Sequence, residues 1–323
     1  MQNQETAAKI ENIRKKWNFE QAKELMDLPF NDLLFKAQTI HRQNFDPNKI
    51  QLSTLLSIKT GGCPENCKYC PQSAHYDAGV EKSELMDKDE IVKIAKKAKE
   101  NGASRFCMGA AWRKLADRDV EKVSEIIKAV KDEDIETCLT VGMITDSQAK
   151  DLKKAGLDYY NHNIDTSREF YDKIISTRNF DDRLQTLENV SNNNINVCSG
   201  GIIGMGESLD DRVKMLITLA NLKTQPGSVP INMLQAVDGT PLEDQKQVDV
   251  FEFIRVIALA RIMIPKAYVR LSAGRKSLSR EAHSMCFLAG ANSIFYGDTL
   301  LTQDNPEIKA DQDLMQELKI TAS

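Results

Sequence analysis

The 323 residues contain no run approaching the roughly eighteen uncharged apolar positions that a membrane-spanning helix requires, and no membrane association is expected. The opening MQNQETAAKIENIRKKW is polar and lacks the apolar centre of a secretory signal, so a cytoplasmic protein is expected. Positive charge is not concentrated either: 43 Lys and Arg are scattered among 47 Asp and Glu, for a net charge of −4. A nucleic-acid binder would gather its basic residues on one face, and no nucleic-acid partner is expected. Linkers rich in Gly, Ser or Pro are missing, as are low-complexity tracts. What is present is 41% hydrophobic residues, enough for a large core in one big domain or two of ordinary size.

Beyond residue 50, short β-branched or apolar runs alternate with amphipathic stretches. The expected strands are 52–58, 105–109, 135–141, 157–164, 195–203, 229–234, 268–272 and 293–296. Between the first two, Asp87 with Glu90 reads as a helix start, Ile91, Ile94, Ala95 and Ala98 recur at helical spacing, and Gly102 is the stop. Val120, Val123, Ile127 and Val130 mark the next helix, Ser208 with Asp211 opens another, and 250–264 is apolar nearly all round before Pro265. Eight strands separated by helices within about 245 residues match a (β/α)8 TIM barrel. A doubly wound open sheet is the rival, but it would carry a Gly-rich phosphate turn after its first strand, where this chain has three cysteines. The expected organisation is an N-terminal helical extension over 1–50, with helices near 11–17, 20–26 and 30–44. The barrel follows over 51–298, then a tail over 299–323 packed on it, with a short helix near 313–318.

The loop after the first strand reads GGCPENCKYCPQSAH, with Cys63, Cys67 and Cys70 spaced Cys-x-x-x-Cys-x-x-Cys. In a reduced compartment such crowding points to metal or catalysis before disulfides. A structural zinc needs four protein ligands, and only His75 offers itself as a fourth. Three thiolates on a [4Fe–4S] cube leave one iron open, which suits an enzyme because a small molecule can chelate it. Barrel active sites are built on this face.

Cys107, Cys138 and Cys198 fall in the middle of the second, third and fifth expected strands. Equivalent positions on barrel strands point inward at similar height, so three thiols there could converge. The plainer reading is that buried cysteines are small hydrophobes, and for Cys286, at helical spacing with Ala282 and Ala289, that reading is preferred. Arg270 sits at mid-strand in YVRLSAG. With a pKa above about 12 it is a poor metal ligand, and on chemistry alone it reads as a charge partner.

The Cys-x-x-x-Cys-x-aromatic-Cys motif resembles the signature of the radical S-adenosylmethionine superfamily. YCPQSAHY, RFCMGAAW, YYNHNIDTS, VCSGGIIGMGE, VPINML, YVRLSAGR and GANSIFYG extend the likeness over nearly the whole chain, to the biotin synthase family within it. Lipoyl synthases, by contrast, carry a second cysteine-rich motif that is missing here. The resemblance implies a sulfurtransferase that inserts sulfur into dethiobiotin in the last step of biotin biosynthesis. A [4Fe–4S] cluster on Cys63, Cys67 and Cys70 would bind S-adenosylmethionine and cleave it to a 5′-deoxyadenosyl radical. A [2Fe–2S] cluster on Cys107, Cys138, Cys198 and Arg270 would donate the sulfur. It further implies that Tyr69 and Ile202 meet the adenine, although Tyr69 has a plainer reading as a loop aromatic. Asn163 and Asp165 would bind the ribose, Asn163 also the substrate, and Arg183 the S-adenosylmethionine carboxylate. Asn232 would bond the ureido ring and Thr302 would sit near the substrate carboxylate. Gln303 stands where a second threonine is frequent, a departure that bears on carboxylate anchoring. No catalytic side chain is implied beyond the cluster ligands, and His162 is given no acid–base role. A homodimer, an electron donor such as flavodoxin or ferredoxin, and iron–sulfur assembly proteins are the implied partners.

Overall fold

A computed structural model describes residues 16–323; the expected helix at 11–17 lies outside the described residues except for its last two positions, which are not helical. The extension supplies α1 (Phe19–Met26) and α2 (Phe30–Asn44). Asn18 and Gln21 form a reciprocal capping box at the start of α1. The Asn221 side chain exchanges two hydrogen bonds with the Trp17 backbone, at 2.9 and 2.8 Å, which ties the extension to the barrel.

The barrel strands are β1 (Lys49–Lys59), β2 (Arg105–Ala110), β3 (Glu136–Thr140), β4 (Tyr159–Asn161), β5 (Asn196–Cys198), β6 (Gly201–Ile203), β7 (Ser228–Met233), β8 (Tyr268–Leu271) and β9 (Ser293–Phe295). Every pairing among them is parallel, and β9 returns to pair with β1 through Gln51↔Ser293 and Leu52↔Ile294. That closure makes the (β/α)8 barrel and disposes of the open sheet. The tail ends in β10 (Thr321–Ala322), which adds to the start of β1.

The single strand expected at 195–203 is in fact two. β5 pairs with β4 and touches β7 at Cys198↔Ser228, whereas β6 pairs with β7 alone. The cause is steric. A Cβ on Gly200 would lie 1.8 Å from the Pro230 carbonyl oxygen, and one on Gly201 2.6 Å from that of Asp165. The two glycines let three backbones approach at the mouth, and the ladder breaks there.

An outer ring is formed by α3 (Lys88–Glu100), α4 (Val120–Lys131), α5 (Asp146–Lys154), α7 (Phe180–Asn192), α8 (Leu209–Ala220), α9 (Val250–Met263) and α10 (Arg280–Leu288), with a single turn, α6 (Arg168–Tyr171), between β4 and α7. Ser208 and Asp211 cap α8 reciprocally, as their spacing predicts. Asp87 caps α3 by accepting from Asp89 rather than Glu90. The all-round apolar character of α9 follows from its place between the barrel and the extension, where α1 and α2 pack on its outer side. Each large side chain buried there stabilises the fold by about 1.5–3 kcal/mol. The tail helix, α11 (Ile308–Leu318), is longer than expected and is held by a buried Arg275–Asp311 ion pair. Among the described residues no helix is long and apolar enough to cross a membrane.

Candidate active site at the barrel mouth

The cysteine loop leaves the end of β1 and is folded back on itself. Cys63 N–H donates to Gln72 O (2.9 Å), Ala74 N–H to Cys63 O (2.7 Å) and Cys70 N–H to Cys67 O (2.9 Å). The segment after α6 cradles it: Lys68 N–H donates to Ile174 O (3.1 Å), and the Asn66 side chain bonds Ser176 and Thr177. Cys67 is buried and its two companions are half-buried. Burial pushes the Cys63 thiol up, that of Cys67 to about 11 and that of Cys70 to about 12. Their ionisation therefore has to be driven by whatever cation they bind.

Inside the barrel, register does what spacing only suggested. Cys107 on β2 lies beside Cys138 on β3, and Cys198 on β5 pairs with Asn161 on β4. The three thiols share a small apolar cluster with Tyr159, Phe295, Leu55 and Leu300. Cys138 is hydrogen-bonded to both neighbours, and its own thiol is pushed well up by donating to them. The hydrogen bond from Cys138, reinforced by the charge of Arg270, holds Cys198 down to about 5 against the effect of burial. For Cys107, burial opposes ionisation, but the same donor and the Arg270 and Arg105 charges outweigh it. Arg270 comes into reach because the barrel closes. Its Nε donates to Ser293 Oγ (2.9 Å), and Nη2 to Ser53 Oγ (3.0 Å) and Gln51 Oε1 (3.2 Å). Cys286, by contrast, is packed in α10 away from this group, as expected.

Between the two cysteine groups lies a cavity of about 1090 Å³, counting its open mouth. Its wall includes Cys70, Cys107, Cys138 and Arg270, and also Tyr69, Asn163, Asp165, Ile202, Asn232, Thr302 and Gln303. Asp165 is buried, with φ +67°, and accepts from Tyr69 Oη (2.9 Å) and from Arg183 Nη2. Arg183 does not reach the cavity wall. Its remaining nitrogens donate to Tyr171 Oη and the Asn163 carbonyl, both at 2.9 Å. Asn232 braces the backbone, donating to Gly201 O (3.0 Å) and accepting from Ala273 N (3.2 Å).

Two wall residues escaped the sequence reading. Asn161 donates to Cys198 Sγ (3.3 Å) and to Asn163 Oδ1 (3.4 Å), and accepts from Thr140 Oγ1 (3.3 Å). Its place two positions before Asn163 within the strand expected at 157–164 would put both on one face, an available signal, although β4 itself ends at Asn161. Thr140, two positions beyond Cys138 on β3, carried the same kind of signal, and its hydrogen bond to Asn161 shows where the fold brings it.

The donors fit clusters better than a single ion. Among the described residues no three His, Cys, Asp or Glu side chains meet closely enough to hold one metal ion. His75 is exposed, with Nε2 against Pro64 O (3.1 Å), so zinc lacks its fourth ligand. Thiols in a row across β2, β3 and β5, with Arg270 opposite, match two irons sharing four donors.

Residues 57–219 match the Radical SAM superfamily, and 230–321 match the Biotin and Thiamin Synthesis associated domain. The biotin synthase of Marinobacter nauticus is 57% identical over 307 residues, covering 95% of this chain and 87% of that protein. That of Hahella chejuensis is 59% identical over 303 residues, covering 94% and 85%. Among solved structures, the FeFe-hydrogenase maturase HydG from Carboxydothermus hydrogenoformans superposes with TM-score 0.81 at 18% identity, covering 96% of this chain and 76% of that one. Methylornithine synthase superposes with TM-score 0.79 at 17% identity, covering 96% and 95%. At such identities these two structures speak for the fold alone. Identity above half over nearly the whole length, with both domain matches, decides the family: the chain belongs to the biotin synthases, radical S-adenosylmethionine enzymes that insert sulfur into dethiobiotin using a [4Fe–4S] and a [2Fe–2S] cluster.

Proposed function

We propose that in this chain Cys63, Cys67 and Cys70 hold the [4Fe–4S] cluster, and that Cys107, Cys138, Cys198 and Arg270 hold the [2Fe–2S] cluster that gives its sulfide to dethiobiotin. The observation that carries this is one cavity whose wall includes Cys70, Cys107, Cys138 and Arg270, with the polar residues for two small molecules between them. When bound, the clusters and S-adenosylmethionine supply the radical and the sulfur. The side chains bind, orient and exclude water. Tyr69 and Ile202 flank the adenine, and Asp165 and Asn163 offer acceptors to the ribose. Arg183, with its nitrogens already engaged, fixes that pair rather than reaching a carboxylate directly. Asn163 and Asn232 face the ureido ring, Thr302 the substrate carboxylate, and Leu55, Phe295 and Leu300 keep the sulfur-donating end dry.

In the same reading 1–50 is a helical extension, 51–298 the catalytic barrel and 299–323 a tail packed on it. The enzyme works in the cytoplasm as a homodimer, is reduced by a flavodoxin or ferredoxin, and has its consumed cluster rebuilt by iron–sulfur assembly proteins. Anaerobic Mössbauer spectroscopy with counted iron and sulfide tests the assignment, with about six irons per chain expected from the two cluster types. Cys67→Ala should abolish S-adenosylmethionine cleavage. Cys138→Ala should keep the four-iron signal and cleavage while losing biotin formation. Unimpaired cleavage in the first, or unimpaired biotin yield in the second, overturns the corresponding ligand set. Arg270→Ala should do less harm than either, since arginine is a weak donor to iron.

A further inference from the structure

The cysteine loop has two sides. Tyr69 and Cys70 stand on the wall of the central cavity. Lys68 is not on that wall and is exposed to solvent. Its N–H is fixed to the Ile174 carbonyl (3.1 Å), so the exposed side chain leaves from a braced backbone. Lys68 is bonded directly to Cys67 and lies two positions before Cys70, so the loop offers solvent a short covalent route to two of the three thiols.

The charges around this outer side are mostly positive. Three loops are tied together there: Arg113 Nε lies 3.1 Å from Glu65 Oε1, the Thr177 hydroxyl donates to the same carboxylate, and the Asn66 side chain bonds Ser176 (2.7 Å). The loops so joined expose Lys68, Arg113, Lys114 and Lys173, with Asp172 as the exposed carboxylate among them. Glu65 itself is buried between Arg113 and Arg178 and adds no outward negative charge. Lys173 Nζ rests over the Phe170 ring at 5.1 Å. Farther along, Arg168 and Glu169 are neutralised by Asp181 and Lys214. The opposite rim has the reverse sign. It exposes Asp77, Glu81 and Glu84 after the cysteines and Asp238, Glu243 and Asp244 after β7, with Lys82 and Lys246 as the exposed cations between them. These two acidic stretches touch, since a Cβ on Gly239 would lie 2.1 Å from the Asp77 carbonyl oxygen.

We propose that the basic outer side, centred on Lys68, is the docking surface for a small acidic protein that carries one electron. This rests on the assignment of Cys63, Cys67 and Cys70 above. Each cleavage of S-adenosylmethionine takes one electron from the four-iron cluster, and the carrier, oxidised in turn by one electron, restores the reduced cluster. The cavity side of the loop is where S-adenosylmethionine lies in that reading, so the carrier comes from the outer side. Complementary charge raises the rate of such encounters by about 10- to 1,000-fold at low salt, and the acidic rim repels the same carrier from the other half of the mouth.

The test mixes the reconstituted holoenzyme rapidly with reduced flavodoxin and follows the EPR signal of the reduced four-iron cluster, with no turnover required. Lys68→Glu combined with Lys173→Glu should slow this reduction by about tenfold or more at low ionic strength, and the difference should shrink as salt screens the charges. The extent of reduction by excess dithionite should match the parent, which shows the cluster intact. A variant with full iron that flavodoxin reduces at the parent rate in low salt overturns the proposal, as does a slowing that salt leaves untouched. If the variant assembles no cluster, Lys114→Glu with Lys173→Glu, which leaves the cysteine loop unchanged, decides by the same two readings. A parent protein without a four-iron signal would sink the cluster assignment instead of the docking surface.

Discussion

Replacing Gly200 with alanine tests how tightly the mouth of the barrel is built. The added Cβ would sit 1.8 Å from the Pro230 carbonyl oxygen. Ordinary contact begins near 3.4 Å, so β6 and β7 would have to part locally by about 1.6 Å. The cost of overpacking of this kind is about 1–3 kcal/mol, sometimes more, and the displacement is not confined to one residue. Gly200 N–H donates to Asn163 Oδ1 (3.1 Å), Asn232 donates to the neighbouring Gly201 carbonyl (3.0 Å), and Cys198 lies two positions earlier. A misplacement of roughly 1 Å can lower a rate by about 100-fold. The expected result is a lower denaturant midpoint together with a loss of biotin formation well beyond what the unfolded fraction explains. Chemical denaturation monitored by circular dichroism, paired with single-turnover biotin yield, reads both. A variant as stable and as active as the parent would show that the close approach of β6 and β7 has no part in placing the site.

Two further outcomes follow from buried charge. Asp165→Asn removes the anion between Tyr69 and Arg183 and strands a buried guanidinium. The loss should be about 3–5 kcal/mol in urea unfolding, with part regained when Arg183→Met is added; equal stability of the single and double variants would contradict the pairing. His41, buried with both ring nitrogens unpartnered, is held at about 4, first by burial and then by the nearby Arg261 charge. As pH falls below 6.5 the unfolded chain protonates this ring before the folded one does, so stability drops between pH 6.5 and 4. His41→Leu should flatten that drop by up to about 3 kcal/mol, as measured by unfolding at stepped pH. A wild-type slope in the variant would place the acid sensitivity elsewhere.

The strand–helix alternation was readable because each element carries a local signature, such as the Ser208/Asp211 box or the apolar faces of α3 and α4. The cysteine triplet was readable because its spacing is short. The break between β5 and β6 was not, since the obstacle is a carbonyl thirty residues away rather than a property of Gly200–Gly201 themselves. The partners of Arg270 were hidden for a related reason. Ser53, Gln51 and Ser293 meet it only once β9 has closed on β1. The contacts of Arg183 with Tyr171, the Asn163 carbonyl and Asp165 were hidden too, since they join α7 to α6 and to the segment after β4, which only the folded barrel brings together.

The course of the cysteine loop is held by backbone amides, the Asn66 carboxamide, a bond from Ser73 Oγ to the Glu65 carbonyl and another from Gly61 N–H to Gln72. Sulfur adds two bonds of its own, Cys63 with the Glu65 backbone and Cys70 with that of Gln72, but the ties named above do not depend on them. The ring of anchors works like a jig: its shape is set before any metal is gripped, and it outlasts the exchange of one thiol for a methyl group. Chelators should therefore strip this protein without melting it, and a spent molecule can be refurbished in place.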